Sequence, residues 1–137
     1  RYVKEKNISL LISTHEIQEV IPWLDQIIVL QEGRLIQNNN AEETYNTPYN
    51  EYVAKLFGEV NIFSEVEKSI FDLPKNFWYP HEIKISTTGK EAKVVESRFA
   101  GSHFWNKISA KDKNLIMYTP EKIEGSIHIE FEKKKEK

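Results

Sequence analysis

The fold class predicted for these 137 residues is an α/β segment followed by a small all-β barrel or sandwich. Two apolar runs with little alternation, at residues 8–12 and 27–30, flank a stretch with helical spacing. Such runs are the habit of strands covered on both faces in α/β proteins. Past Asn61 the texture changes to short β-rich pieces separated by turn residues, which places a domain boundary there.

Taken in order, Ile8, Leu10, Leu11 and Ile12 form the first buried-type strand, and Thr14 supplies a helix start. Ile17, Val20, Ile21 and Leu24 recur at helical spacing, but Pro22 lacks an N–H and ends or kinks that helix near Ile21. Ile27, Ile28, Val29 and Leu30 make the second strand. Glu32-Gly33 is a turn signal that returns the chain along residues 34–37 as a hairpin, which ends in Asn38-Asn39-Asn40. Residues 41–45 and 50–57 read as two short helices parted by Thr47-Pro48, the second closed by Gly58 in the place of a C-terminal cap. The β-rich pieces are 78–86, 92–100, 103–108, 114–118 and 126–131, with Thr88-Gly89, Gly101, Lys111-Asp112 and Gly125 as punctuation. The predicted parts are therefore residues 1–61 and 62–137.

Bulk properties exclude several classes. The net charge is −2, with 5 basic and 9 acidic side chains in residues 1–61 and 14 and 12 in residues 62–137, so neither part has a strong drive toward nucleic acid or an anionic membrane. With no cysteine there is no disulfide framework and no thiolate metal site. No apolar run nears the roughly 20 residues of a membrane span, and no secretory signal pattern is present. The sequence starts at Arg1 with no initiator Met, which leads to the expectation of a truncated or processed piece. Lys133-Lys134-Lys135-Glu136-Lys137 reads as a solvated tail.

His15 stands where a buried strand ends and a helix begins. A lone histidine is ordinarily a packed or surface residue. At the C-terminal end of a strand in an open α/β sheet, however, a side chain enters the crevice where such folds bind ligands. A following helix start adds N–H donors suited to anions.

The segments "ISTHEIQEV", "LDQIIVLQEGRLIQ", "EETYNTP" and "EYVAKLFGEVN" follow in order a pattern that resembles the C-terminal third of an ABC transporter ATP-binding subunit. The importer group resembled carries an appended β-domain and includes maltose, polyamine, sulfate and ferric-ion uptake ATPases. The resemblance covers about residues 1–61. It implies that His15 is the switch histidine that contacts the γ-phosphate of ATP, with Thr14 before it, and that these two residues form the site. Such a donor helps position the attacking water and stabilises transition-state charge. Glu16 stands where the family usually has Asp, and Pro22-Trp23 departs from the small apolar residues expected. Asp25, Gly33, Tyr45, Pro48, Ala54, Gly58 and Asn61 match positions with structural roles.

Residues 62–137 resemble the OB-like TOBE domain of this group, through "FWYPHEIKIS", "AKVVESRFAGSHFWNKIS" and "NLIMYTP", with Tyr79 and His81 in place of the usual Arg and Glu. Phe77, Trp78, Phe99, Phe104 and Trp105 read as core or interface residues. His81, His103 and His128 lie far apart without metal-ligand spacing, so no metal site is expected. The sequence holds no GxxxxGK[ST] loop, no Walker B strand and no LSGGQ-type signature, so no activity and no bound cofactor are expected of these residues alone. The resemblance implies a parent two to three times longer that uses ATP and magnesium, pairs with a second ATPase subunit and with transmembrane permease subunits, and works at the cytoplasmic face of the cell membrane.

Two other readings fit the residues. One is a stand-alone ligand-binding or regulatory β-domain, which a phosphate-binding loop encoded upstream of Arg1 would rule out. The other is an OB-type single-strand nucleic-acid binder using Phe99, Phe104 and Trp105 as stacking platforms. Its positive charge is thin, and nucleic acid is not an expected partner.

Overall fold

The computed structural model describes residues 17–132. The strand expected at residues 8–12 lies outside that range. The chain forms two compact units, the first ending at Gly58 and the second starting at Glu59, and Asn61 belongs to the second. Among the described residues no helix is long and apolar enough to cross a membrane.

In the first unit a single helical turn, α1 (Ile17–Val20), passes into a 3-10 turn at Ile21–Trp23. Pro22 sits where its missing N–H is harmless, and the Leu24 N–H closes the turn on the Ile21 carbonyl at 3.2 Å. Strands β1 (Ile27–Gln31) and β2 (Arg34–Asn39) form the expected antiparallel hairpin. Its two-residue turn holds Glu32 at φ 51° and Gly33 at φ 77°, the left-handed pair that matches the twist of the strands. Ile27 and Val29 are buried, while Ile28, Leu30 and Leu35 remain exposed. Helix α2 (Ala41–Asn46) is capped by Asn40, whose side-chain oxygen accepts from the Glu43 N–H at 2.8 Å. Asn50 caps α3 (Glu51–Lys55) in the same way through the Val53 N–H. The buried Gln37 fixes the loop between the two helices by donating to the Thr47 carbonyl at 3.0 Å and accepting from the Tyr49 N–H at 2.7 Å.

The second unit is mostly strand. It opens with β3 (Asn61–Ile62), which pairs with β4 (Phe77–Trp78), and between them stands α4 (Glu65–Phe71). This helix corrects the all-β expectation. Ser64 and Glu67 form a capping box, each side chain serving the other's backbone N–H, and Asp72 ends the helix at φ 55°. The Ser64 backbone N–H and the Lys113 ammonium hold the Glu67 carboxyl below its ordinary value. After a 3-10 turn at Pro80–Glu82 come β5 (Ile83–Phe99), β6 (Phe104–Ala110), β7 (Lys113–Thr119) and β8 (Ser126–Phe131), an antiparallel sheet of order β7-β6-β5-β8.

The sheet is open: β7 and β8 are its two edges and do not pair, so the described residues form no closed barrel. Of the strand expected at 78–86, Trp78 ends β4 and Pro80–Glu82 form the 3-10 turn, whereas the part from Ile83 runs on into the one expected at 92–100 as one long β5. Thr88-Gly89 makes a bulge in it, and Ile85 and Lys90 both face Ile129 across the step. A Cβ on Gly89 would lie 1.9 Å from the Ile129 carbonyl oxygen, so the strand can approach β8 here only as glycine.

The core lies where β3, β4 and α4 meet the sheet. Phe63, Phe71 and Trp78, each about 1 % exposed, pack with Ile83, Ile108, Leu115, Met117, Ile129 and Phe131. The Phe131 ring takes edge contacts from Phe63 at 5.8 Å, Phe71 at 6.2 Å and Trp78 at 5.1 Å. Each such pair adds roughly 0.5–1.5 kcal/mol beyond simple burial.

Replacing Gly89 by alanine forces the β5 bulge away from β8 and is expected to cost about 1–3 kcal/mol. Urea unfolding measures this, and an unchanged midpoint would contradict the close approach.

Candidate functional site

Thr14 and His15, the two site residues expected from sequence, lie outside the described residues. The nearest described side chain is Ile17, which is buried in the turn that follows them. Within the first unit the side chains of Gln37, Asn40 and Asn50 are spent on the interhelical loop and the helix caps. One acceptor is left over: the Asn46 Oδ1 atom is buried without a hydrogen-bond partner.

Two polar assemblies of the β-unit are built on β6. Asn106 is fully buried on the inner face of β6, and its amide donates to the Phe104 and Met117 carbonyls and to the Thr119 hydroxyl at 2.9–3.2 Å. Its oxygen accepts from the Ser97 hydroxyl at 2.5 Å. Every polar atom of that side chain is thus satisfied, which makes a scaffold and leaves nothing to offer a ligand.

The other assembly lies on the opposite face. Trp105 and Tyr118 are cross-strand partners of β6 and β7. Glu59 reaches over both: each carboxylate oxygen accepts from the Trp105 indole N–H at 3.0 Å, and Oε1 accepts from the Tyr118 hydroxyl at 2.7 Å. The His103 ring lies 4.0 Å from the Tyr118 ring, centroid to centroid. Burial first, and then the Glu59 carboxylate, push the Tyr118 hydroxyl pKa well above its ordinary value of 10.0.

Of the five aromatics read as core or interface, Trp78 alone lies in the core. Phe77, Phe104 and Trp105 are half-buried, and Phe99 is 74 % exposed with its ring edge-on to Phe104 at 5.6 Å. The sequence reading missed Phe63, Phe71 and Phe131, which supply the core rings, and Glu59, whose partners are 46 and 59 residues away. His81 stacks near Tyr79, His103 lies on Tyr118 and His128 is exposed on β8. Among the described residues no group of three or more His, Asp or Glu could hold a metal ion.

No family model matches the chain. Among curated proteins it is similar to the spermidine/putrescine import ATP-binding protein PotA of Mycoplasmopsis synoviae, 27 % identical over 82 % of this chain and 30 % of that protein. The protein of the same name from Photobacterium profundum is 28 % identical over 88 % of this chain and 28 % of its own length. The sulfate/thiosulfate import ATP-binding protein CysA 2 of Shewanella oneidensis is 37 % identical, over 43 % of this chain and 17 % of its own. The chain spans under a third of the length of these relatives.

Replacing Glu59 by glutamine removes the charge beside Tyr118 but not its burial, so the phenol pKa is expected to fall only part of the way toward its ordinary value. A folded-state pKa raised above the unfolded one stabilises the protein below about pH 10 and loses that contribution as pH rises through the folded value. Both proteins should therefore begin to lose this contribution near pH 10, and the variant should complete a smaller loss at lower pH than the wild type. NMR titration of the Tyr118 ring reads the shift, and no change would contradict the contact.

Proposed function

We propose that this chain is the C-terminal part of the ATP-binding subunit of an ABC importer. In this reading residues 1–61 complete the nucleotide-binding domain, and residues 62–137 form an OB-like domain of the TOBE type that serves dimerisation or regulation. The observation that carries the proposal is the reach of the similarity. The matches to two polyamine import ATP-binding proteins run over 82 % and 88 % of the chain, too far to rest on either unit alone. The sequence motif that contains His15, the β1–β2 hairpin and the two capped helices support the first half of the reading, and the β-rich second unit supports the other. The relatives matched over most of the chain are named for spermidine and putrescine, which favours polyamines as the imported solute; the sulfate relative matches less than half of it.

In the complete subunit His15, with Thr14 before it, donates a hydrogen bond toward the γ-phosphate. ATP and magnesium bring the reacting phosphate and its countercharge. The sequence has no phosphate-cradling loop or lysine of its own, so the chain supplies one preorganised donor to a site built elsewhere in the protein. Partners in this reading are a second ATPase subunit and the permease subunits at the cytoplasmic face of the membrane.

His15→Ala in the full-length protein with its permease is expected to lower ATP turnover by roughly 10²- to 10³-fold while ATP binding changes little. A histidine that only packs would instead lower the melting temperature and leave turnover per folded molecule intact. ATPase rate and thermal melt measured on the same preparation separate the two outcomes, and an unaltered rate overturns the assignment.

A further inference from the structure

A hollow of about 630 Å³ lies within the second unit, between the turn that follows α4, the Thr88-Gly89 bulge of β5 and the end of β8. That volume is within the roughly 300–1,000 Å³ of small-molecule sites. Its floor is apolar, made by Trp78, Ile129 and Phe131, with Leu73 and Pro74 along one wall. Five charged side chains stand around it: Lys84 and Lys90 from β5, Asp72 from the turn, and Glu130 and Glu132 from the end of β8. Among the described residues none of the five belongs to an ion pair, although Lys84 and Glu130 are cross-strand partners. Elsewhere on the unit lysines do find carboxylates, as in Lys75–Glu82 at 3.2 Å and Lys113–Glu67 at 3.1 Å. The Lys90 ammonium instead stands over the Phe131 ring, 5.8 Å from its centroid.

We propose that this hollow binds a small zwitterion with an apolar body, the chemistry of a free apolar α-amino acid. The ligand lays its side chain against the Trp78–Phe131 floor, turns its carboxylate to Lys84 and Lys90, and turns its ammonium to Glu130 and Glu132. The rim carries both signs of charge without pairing them, so an ion of one sign would also meet its own charge. An uncharged apolar molecule would take water from these charges and return nothing for it. A zwitterion answers both sets, with its apolar part between them. The inference goes beyond the transport reading and does not rest on it, because every residue that carries it lies in the second unit.

The test is an NMR titration of the whole 137-residue chain, read at its amide and indole N–H signals. The probes are L-phenylalanine, phenethylamine and hydrocinnamate, which carry both charges, the ammonium alone and the carboxylate alone. L-phenylalanine is expected to shift the Gly89 amide and the Trp78 indole N–H saturably. It should bind about fivefold tighter than either analogue, the return of one well-placed exposed charge pair. Lys84→Met with Lys90→Met keeps the alkyl stems and removes both ammonium groups, so it should erase the preference over phenethylamine and leave the preference over hydrocinnamate. Glu130→Gln with Glu132→Gln should shrink the preference over hydrocinnamate instead. Three probes of equal affinity would overturn the proposal, as would phenylalanine that fails to shift Gly89 and Trp78. So would variants that weaken all three probes alike.

Discussion

The second unit depends on one side chain that behaves like a piece of backbone. Strand β7 is an edge, and the hydrogen bonds its outer side would give to another strand need partners. The Asn61 amide provides them, accepting from the Ile116 N–H at 2.7 Å and donating to the Ile116 carbonyl at 2.8 Å. The same NH₂ group donates to the Trp78 carbonyl at 3.1 Å. Three backbone groups from two strands therefore converge on one buried amide. A primary amide carries an acceptor and two donors in one plane, which matches what a strand position would offer.

That stitch sets where everything else goes. It holds the β3–β4 ribbon against the sheet, and the ribbon delivers Phe63 and Trp78 to Phe131. Helix α4 grows out of the same ribbon and adds Phe71 to the ring cluster. The outer edge of β7 is satisfied at Ile116 by a side chain from the ribbon and not by another strand of the sheet. The open sheet and the ribbon-and-helix cover are thus two aspects of one arrangement. The Asn106 network does similar work inside the sheet, joining β5, β6 and β7 where apolar packing gives out toward Phe99.

Local rules made much of this legible in the sequence. Glu32-Gly33 named its turn, Asn40 and Asn50 stood where helix caps belong, and residues 126–131 alternated as a half-buried strand does. What escaped was either short or distant. Helix α4 has only seven residues and turns Val66 and Ile70 outward, so its apolar pattern points the wrong way; the Ser64…Glu67 capping box was the available signal. Thr88-Gly89 reads as a turn because glycine usually punctuates, whereas here it lets two backbones touch. Asn61 could be placed as structural, but its partner Ile116 is 55 residues away, and no local pattern encodes that pairing. For the candidate site the balance is different: Thr14 and His15, named from the sequence pattern alone, are outside the described residues.

The most direct measurement is urea unfolding of Asn61→Asp at neutral pH, followed by both far-UV circular dichroism and tryptophan fluorescence. The substitution keeps the shape and the acceptor for the Ile116 N–H, but it removes both donations and sets a carboxylate against two carbonyl oxygens. If the amide is the stitch described above, stability should fall by about 2–4 kcal/mol, since buried carbonyls lose their partners and a charge is left poorly solvated. Stability within about 0.5 kcal/mol of the wild type, the range of an ordinary surface change, would contradict it.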